Sequence, residues 1–236
     1  MANIGYGYGS EWHLLRYLGR HRCLLNQKIE RKTGGKVIAW LDFPFNRRWN
    51  RCDPRDKPDA EWKGLDFLPN GSAARERYAE FWPQRGNVPN WDAVGRLRTD
   101  AGDEWLLVEA KAHVSEMKQA TSAKERGGLP KIRCALAETR AAVGIRVNAE
   151  VWLSRYYQYC NRLATLHYLG KREVPARLIF IYFTGDRERK SCVCPKDESD
   201  WKQHINAMKE RLGLRGSSVL ETRVHEVFLP VWLETD

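Results

Sequence analysis

No segment of the sequence is a long hydrophobic run. A membrane-spanning helix needs about 20 consecutive apolar residues, whereas the longest apolar stretches here, such as residues 176–183, are far shorter. The first residues of the chain also lack the apolar core of a signal peptide. We therefore expect a cytoplasmic protein that does not contact a membrane.

The cysteines have no regular spacing. The six cysteines, at positions 23, 52, 134, 160, 192 and 194, do not form the regular framework of a disulfide-stabilised domain. We expect these thiols to be reduced. Cys192 and Cys194 are close enough in sequence to contribute to a zinc site, with Cys52 and His204 as the available completions. The sequence leaves open whether they bind a metal.

The sequence also has no internal repeat and no low-complexity segment. The chain has 236 residues, 42% of them hydrophobic, and ten tryptophans. That length and composition are sufficient for a substantial core in one domain. We predict a single domain over residues 1–236, with a polar insertion at about residues 44–68.

The sequence does have an excess of positive charge. Lysine and arginine number 40 against 30 acidic residues, which gives a formal net charge of +10 and a pI of about 9.4. Such a balance favours a polyanionic partner, because basic side chains release counterions from phosphates when they bind. Ribosome-associated and membrane-surface proteins are equally basic, so the charge is consistent with nucleic-acid binding without identifying it.

Hydrophobic periodicity predicts a mixture of helices and strands. Helices are predicted at residues 11–32, 71–81, 115–126, 131–143, 149–169 and 200–212, and strands at residues 37–43, 176–183 and 224–232, in addition to a central hairpin. The apolar run at 176–183 predicts a strand buried on both faces beside the hairpin. Pro230 predicts an edge position for the last strand. This order indicates an α/β fold with a mixed central β-sheet flanked by helices.

The predicted hairpin occupies residues 90–113. Its second strand, residues 105–112, is almost entirely apolar, which is typical of a central strand. Residues 99–102 can form a four-residue loop, and Arg98 then faces Asp103 as an opposite-charge pair. This register predicts the partner of each residue in the first strand. A slip by one residue would turn every side chain to the other face.

In the same register three charged side chains meet. Asp92 is predicted to lie opposite Glu109, and Lys111 shares a strand face with Glu109. The Cβ atoms of opposed residues are about 5 Å apart, so the three side chains would form one cluster. The alternative is a structural ion pair between Glu109 and Lys111 at the strand end, with Asp92 as a turn residue.

Two neighbouring carboxylates repel each other unless a cation lies between them. Hard oxygen ligands with room for water suit Mg²⁺ or Mn²⁺. Such an ion polarises a phosphoryl oxygen and lowers the pKa of a bound water, while Lys111 would orient that water or stabilise charge on the phosphate. The cluster therefore predicts hydrolysis of phosphodiester bonds.

Asp92 followed by Glu109-Ala110-Lys111 resembles the motif of the PD-(D/E)xK nuclease superfamily. Trp91 precedes the aspartate where the motif has proline, which weakens the literal match but keeps the carboxylate. The resemblance implies a restriction-endonuclease-like fold in which Asp92 and Glu109 bind the metal and Lys111 assists the nucleophile. It also implies a Mg²⁺-dependent nuclease acting on DNA, with the Ala110 carbonyl as an additional ligand.

Glu11 is the candidate for a further catalytic acid. Nucleases of this superfamily often carry an additional metal-facing acid on the first core helix, and Glu11 fits that role by position. The alternative is that an acid in the first helical turn interacts favourably with the helix dipole. His113, two residues past Lys111, is a candidate accessory group, although a histidine after a strand is commonly only a polar loop residue.

The candidates for nucleic-acid contacts are Gln158, Arg162, Lys118, Arg47 and Arg48. Gln158 and Arg162 lie among aromatic residues on the predicted helix after the catalytic strand, where they could contact the scissile phosphate. Arg47 and Arg48 lie next to a tryptophan in the polar insertion, a combination typical of loops that follow a nucleic-acid backbone. Ordinary solvated surface is the alternative for these positions.

The leading competitor to a nuclease is a catalytically inactive nucleic-acid-binding protein that retains the nuclease fold. A third hypothesis is a basic protein that binds other proteins or anionic surfaces. The sequence does not distinguish DNA from RNA, or a monomer from a homodimer.

Overall fold

The structure, a computed structural model, describes residues 9–42, 61–86, 88–186, 193–214 and 222–232. Most of the predicted polar insertion, including Arg47 and Arg48, lies outside these residues, and so do Cys52 and Cys192. The described part has a mixed α/β architecture with a five-stranded mixed sheet flanked by helices.

The central sheet combines an antiparallel and a parallel half. Its strands, in spatial order, are β1 (Lys36–Trp40), β4 (Ala93–Thr99), β5 (Gly102–Lys111), β6 (Ala176–Thr184) and β7 (Val224–Pro230). β1, β4 and β5 pair antiparallel, whereas β5, β6 and β7 pair parallel. A separate two-stranded sheet joins β2 (Trp62–Lys63) to β3 (Asn90–Trp91), which directly precedes β4. The predicted positions of β6 beside β5 and of β7 at the edge are confirmed.

Helices cover both faces of the central sheet. They are α1 (Ser10–Gly19), α2 (Arg22–Thr33), α3 (Ala73–Glu76), α4 (Tyr78–Phe81), α5 (Leu129–Ala142), α6 (Ala149–Leu153), α7 (Tyr157–Lys171) and α8 (Glu198–Leu212). α1 and α2 share a core with Val108 and Ile181, while the later helices share a core with Leu107 and Phe180. Successive strand residues therefore face different helical layers, as the period of a strand requires.

Two of the predicted long helices are interrupted. The helix predicted at 11–32 is divided between α1 and α2, because helix-weakening Gly19 ends the first and the Arg22 side chain then donates to the Leu18 carbonyl. The helix predicted at 149–169 is divided at Ser154, whose hydroxyl donates to the Val151 carbonyl. The predicted helix at 71–81 is likewise divided, into α3 and α4.

The prediction of a helix at residues 115–126 was wrong. Only a short 3₁₀ turn, Val114–Met117, forms there. The following backbone pairs with the α6–α7 junction instead, since Tyr157 N donates to the Gln119 carbonyl and Thr121 N donates to the Leu153 carbonyl. This segment has no apolar stripe to bury, so tertiary pairing prevails over its local helical preference.

The predicted hairpin register is confirmed over the whole of β4. Val94 pairs with Leu107, and Arg98 pairs with Asp103 through a 2.9 Å contact. The two strands that follow in parallel, β5 and β6, end at the same edge of the sheet. In sheets of this kind ligands bind beyond the carboxyl ends of the strands.

Among the described helices, none combines the length and the apolar character that a membrane span needs.

Gly95 provides a test of how closely β1 packs on β4. A Cβ at this position would lie 2.9 Å from the Ala39 carbonyl oxygen and 3.0 Å from the Trp40 ring. We expect Gly95→Ala to force the two strands apart and to lower the free energy of unfolding by about 1–3 kcal/mol, measured by urea denaturation. Gly127→Ala is the control, because a Cβ there makes only an ordinary contact, 3.5 Å from the Lys124 carbonyl oxygen. Equal urea midpoints for both variants would contradict this packing.

Candidate active site

Asp92 lies where the β4–β5 ladder stops. The last ladder pair is Ala93 with Val108, and Asp92 N also donates to the Val108 carbonyl at 3.0 Å. Two residues of one strand therefore face one residue of the other, as in a β-bulge. The expectation that Asp92 continues the ladder opposite Glu109 was wrong. Its carboxylate turns instead to Ala110, whose N–H donates to Asp92 Oδ2 at 2.6 Å.

The bulge also places a backbone carbonyl beside Asp92. In a strand, the N–H and the C=O of one residue point to the same side. Because Ala110 N points to Asp92, the Ala110 carbonyl points to that side as well. The side chain of Ala110 is fully buried in the α1–α2 core. Asp92 and the Ala110 backbone thus form one oxygen-rich corner.

Glu109 and Lys111 share a face of β5, as expected from strand periodicity. The Lys111 ammonium contacts Glu109 Oε1 directly. Glu109 is only 1% exposed and Lys111 only 9% exposed. Both charges are therefore removed from water and depend on each other for compensation.

Arg162 contacts the other oxygen of Glu109. Its Nε and Nη2 atoms lie 2.8 and 2.6 Å from Glu109 Oε2, and the guanidinium lies 5.0 Å from the centre of the Trp91 ring. Arg162 is 4% exposed and also donates to Asn161 Oδ1. Helix α7 thus pairs the Arg162 guanidinium with Glu109. In this arrangement Arg162 is not free to contact a phosphate.

The two carboxylates differ in protonation. Burial alone would raise the pKa of Glu109, but the charges of Arg162 and Lys111 outweigh it and lower that pKa. Burial raises the pKa of Asp92 to about 8, and repulsion by Glu109 adds to the effect. Burial alone would lower the pKa of Lys111, but Glu109 and Asp92 raise it. Near neutral pH, Glu109 and Lys111 are charged while Asp92 is mostly protonated.

A polar cleft opens beside this corner. Asp92 and Arg162 line an open space of about 570 Å³. Glu109 and Lys111 line a narrower space of about 250 Å³, against Tyr182 and other apolar side chains. Gln158, at the start of α7, lines both. The half-buried Gln158 side chain therefore lies between the two parts of the site.

A second charged cluster follows Lys111. Glu116 accepts a hydrogen bond from Ala112 N at 2.8 Å and lies 3.2 Å from His113 Nδ1. His113 Nε2 lies 3.2 Å from Asp186 Oδ2, while His13 Nε2 lies 3.0 Å from Asp186 Oδ1. This chain of contacts joins α1 to the ends of β5 and β6.

The pKa values of the two histidines in this cluster shift in opposite directions. His113 faces a carboxylate on each ring nitrogen, and the contact with Glu116 is the largest cause that raises its pKa. The two carboxylates favour the protonated imidazolium form of His113. Burial lowers the pKa of His13 and favours its neutral form despite its contact with Asp186. His113 is here a buried partner of two acids, with no contact to Glu109 or Lys111 among the described hydrogen bonds.

Glu11 is not brought to this site. Its side chain is exposed on α1, and within the described ranges no hydrogen bond or ion pair joins it to Asp92 or Glu109. The residue of α1 that points to the strand ends is His13, which is 2% exposed. The sequence carries a signal for it, since His13 lies on the helical stripe with buried Leu14 and Tyr17.

The remaining candidates are dispersed. Lys118 is exposed after the 3₁₀ turn, and His204 is half-buried on α8. Cys194 is buried. Within the described residues no group of three or more histidine, cysteine or carboxylate side chains is arranged to hold a metal ion. A site at Asp92 and Glu109 would therefore depend on two carboxylates and a backbone carbonyl.

Comparisons with known proteins found no match. No protein-family model, no curated protein and no solved structure is significantly similar to this chain. The resemblance to the PD-(D/E)xK superfamily therefore depends on the order of elements over roughly residues 10–183 and on the motif residues Asp92, Glu109, Ala110 and Lys111.

Arg162 provides a test of the buried ion pairs. We expect Arg162→Met to lower the free energy of unfolding by about 3–5 kcal/mol, because Glu109 loses one of its two compensating cations. Urea denaturation measures the effect. Arg126→Met is the control, since Arg126 is exposed and its loss should change the free energy by less than about 0.5 kcal/mol. Equal stability of the two variants would contradict the compensation of Glu109 by Arg162.

The raised pKa of Asp92 makes stability depend on pH. The pKa of Asp92 is about 8 in the folded protein and has an ordinary value of 3.8, so the folded state holds a proton that the unfolded state has lost. Asp92 therefore makes folding less favourable as pH rises from about 4 to 8, with a slope of at most about 1.4 kcal/mol per pH unit. Above pH 8 the slope disappears.

Asp92→Asn removes this dependence and retains an oxygen for Ala110 N. We expect the variant to become progressively more stable than the wild type between pH 5 and about 8, measured as free energies of unfolding in urea. Parallel pH profiles for the two proteins would show that Asp92 is ionised throughout.

Proposed function

We propose that the protein is a metal-dependent nuclease that hydrolyses phosphodiester bonds, with DNA as substrate and Mg²⁺ or Mn²⁺ as cofactor. One observation supports this most strongly. The bulge at Asp92 directs its carboxylate to the Ala110 backbone, one residue from Glu109, at the carboxyl end of a central strand and beside an open cleft.

The donor atoms are of the kind that a hard divalent ion requires. Asp92 and Glu109 offer carboxylate oxygens, and the Ala110 carbonyl points to the Asp92 side of β5. Glu109 already contacts Lys111 and Arg162, so it would exchange one cationic partner for another. An ion bound here would polarise a phosphoryl oxygen and lower the pKa of a bound water.

The protonation state of Lys111 defines its role. Because Glu109 and Asp92 raise the pKa of Lys111, its ammonium remains charged near neutral pH. A charged ammonium cannot accept a proton from water, so it does not serve as a general base. Its role is to orient the attacking water and to stabilise negative charge on the phosphate.

The charge of the chain supports a nucleic-acid substrate. The net charge of +10 favours association with a polyphosphate. Lys118 is exposed next to Gln119 of the cleft, where it is available for a phosphate contact. Arg162 could contact a phosphate only after releasing Glu109.

A specific observation favours the second candidate, a nucleic-acid-binding protein without turnover. Glu109 is compensated by two cations, and Asp92 is mostly protonated near neutral pH. The four side chains therefore attract a divalent ion weakly. This candidate predicts DNA binding that is independent of Mg²⁺, with no cleavage in Mg²⁺ or Mn²⁺.

Cleavage assays distinguish the two candidates. We expect the wild type to degrade DNA in Mg²⁺, and Lys111→Ala and Asp92→Ala to be slower by a factor of about 100 or more, because each removes a group that stabilises the transition state. Circular dichroism checks that the fold is retained. Glu11→Gln is the matched control and should cleave at the wild-type rate, since Glu11 is exposed on α1. Full activity of Lys111→Ala would exclude this mechanism.

A further inference from the structure

The polar cleft beside Asp92 contains a buried hydroxyl without a partner. Tyr157 is 3% exposed, and its hydroxyl makes no hydrogen bond within the described residues. The side chains of Thr121 and Asn161 are close to it without reaching hydrogen-bond geometry. A buried polar group of this kind destabilises the fold unless something else satisfies it. Tyr157 lies in the wall of the polar cleft.

Two carboxamides in the same wall are also available. The side-chain amides of Gln119 and Gln158 make no hydrogen bond to any other described residue. The neighbouring asparagines are engaged, because Asn90 donates to Glu61 at 2.9 Å and Asn161 accepts from Arg162 at 2.8 Å. The cleft wall thus combines two engaged asparagines with the carboxamides of exposed Gln119 and half-buried Gln158, next to the buried Tyr157 hydroxyl.

The cleft offers no unpaired cation to a phosphate. Glu61 lines it, and Arg162, the cationic side chain among the described residues of its wall, is already paired with Glu109. A neutral group with donors and acceptors on one edge is better suited to carboxamides, each of which offers both functions. The edge of a nucleobase has this character, and glutamine and asparagine are common partners for it.

The cleft is open to solvent, so a group can enter it from outside. Asp92 lies in the same wall, so a base held there would be next to the proposed site of hydrolysis.

We propose that this cleft binds one unpaired nucleobase of a DNA strand, with Gln119, Gln158 and the Tyr157 hydroxyl contacting its edge. The position of the scissile bond next to this base depends on the proposed nuclease function, whereas the binding of the base does not. A base inside a duplex has its pairing edge occupied, so the substrate is single-stranded or has a base turned out at this position.

Binding without metal tests this inference. Fluorescence anisotropy in EDTA compares a single-stranded 12-nucleotide DNA with a strand of the same length in which every base is missing, so that the phosphate charge is equal. We expect the wild type to bind the intact strand at least about tenfold more tightly, the discrimination typical of one good base contact. A duplex of the same sequence should bind less tightly than the single strand.

Two variants locate the effect. Gln158→Ala and Tyr157→Phe should lose most of the difference between intact and base-free strands. Tyr157→Phe should also keep or raise the unfolding temperature, because it removes an unsatisfied hydroxyl. The control is Gln27→Ala, an exposed glutamine of α2 on the opposite face of the sheet, which leaves the net charge unchanged and should bind like the wild type.

The inference is overturned if the wild type binds both strands equally, or if the duplex binds more tightly. Its failure is distinguishable from failure of the nuclease proposal, which a separate cleavage assay in Mg²⁺ measures. A protein that discriminates bases but never cleaves retains this cleft and loses the catalytic proposal. A protein that cleaves DNA without discriminating bases supports the nuclease proposal and contradicts the binding of a base in this cleft.

Discussion

Glu109 is held almost wholly out of water between the guanidinium of Arg162 and the ammonium of Lys111. Removing a carboxylate from water is unfavourable unless cations compensate it. This requirement links the carboxyl end of β5 to the middle of α7, which supplies Arg162. It also keeps Glu109 ionised in a site where burial alone would protonate it. The chemistry proposed for the protein depends on that charge.

The bulge at Asp92 adds the second acid. A regular ladder would have placed Asp92 opposite Glu109. Only the two carboxylate side chains, and no backbone carbonyl, would then have been available to bind a cation. The observed bulge brings the half-buried Asp92 carboxyl group to the Ala110 backbone. Desolvation of this group and repulsion by ionised Glu109 raise the pKa of Asp92. The two acids are therefore complementary, since one is charged and compensated while the other is mostly protonated and lines the open cleft. A cation that enters from the cleft meets Asp92 before Glu109.

Sequence patterns were sufficient for the sheet but not for the side chains that complete the site. The turn between Arg98 and Asp103 determines the β4–β5 register, and long apolar runs identify β5 and β6, because both signals are local. The partner of Glu109 is not local, since it depends on how α7 packs over β5. Arg162 was accordingly expected to contact a phosphate of the substrate, whereas its guanidinium contacts the Glu109 carboxylate.

The N-terminal helix shows the same distinction. Glu11 was predicted as a site residue from its position in the first turn of α1. The residue of α1 that is buried near the strand ends is instead His13, two positions further along the helix. Its contact with Asp186 joins segments that are far apart in the chain. Only the helical stripe shared with Tyr17 indicates from sequence that His13 faces inward.

The central claim is that Asp92 and Glu109 together hold a divalent ion. Calorimetric titration of Mn²⁺ into the wild type and into Glu109→Gln tests it without knowledge of the substrate. The account predicts saturable binding to the wild type and an affinity at least about tenfold lower for the variant, the loss typical of a disrupted metal site. Equal affinities, or no binding to the wild type, would contradict it.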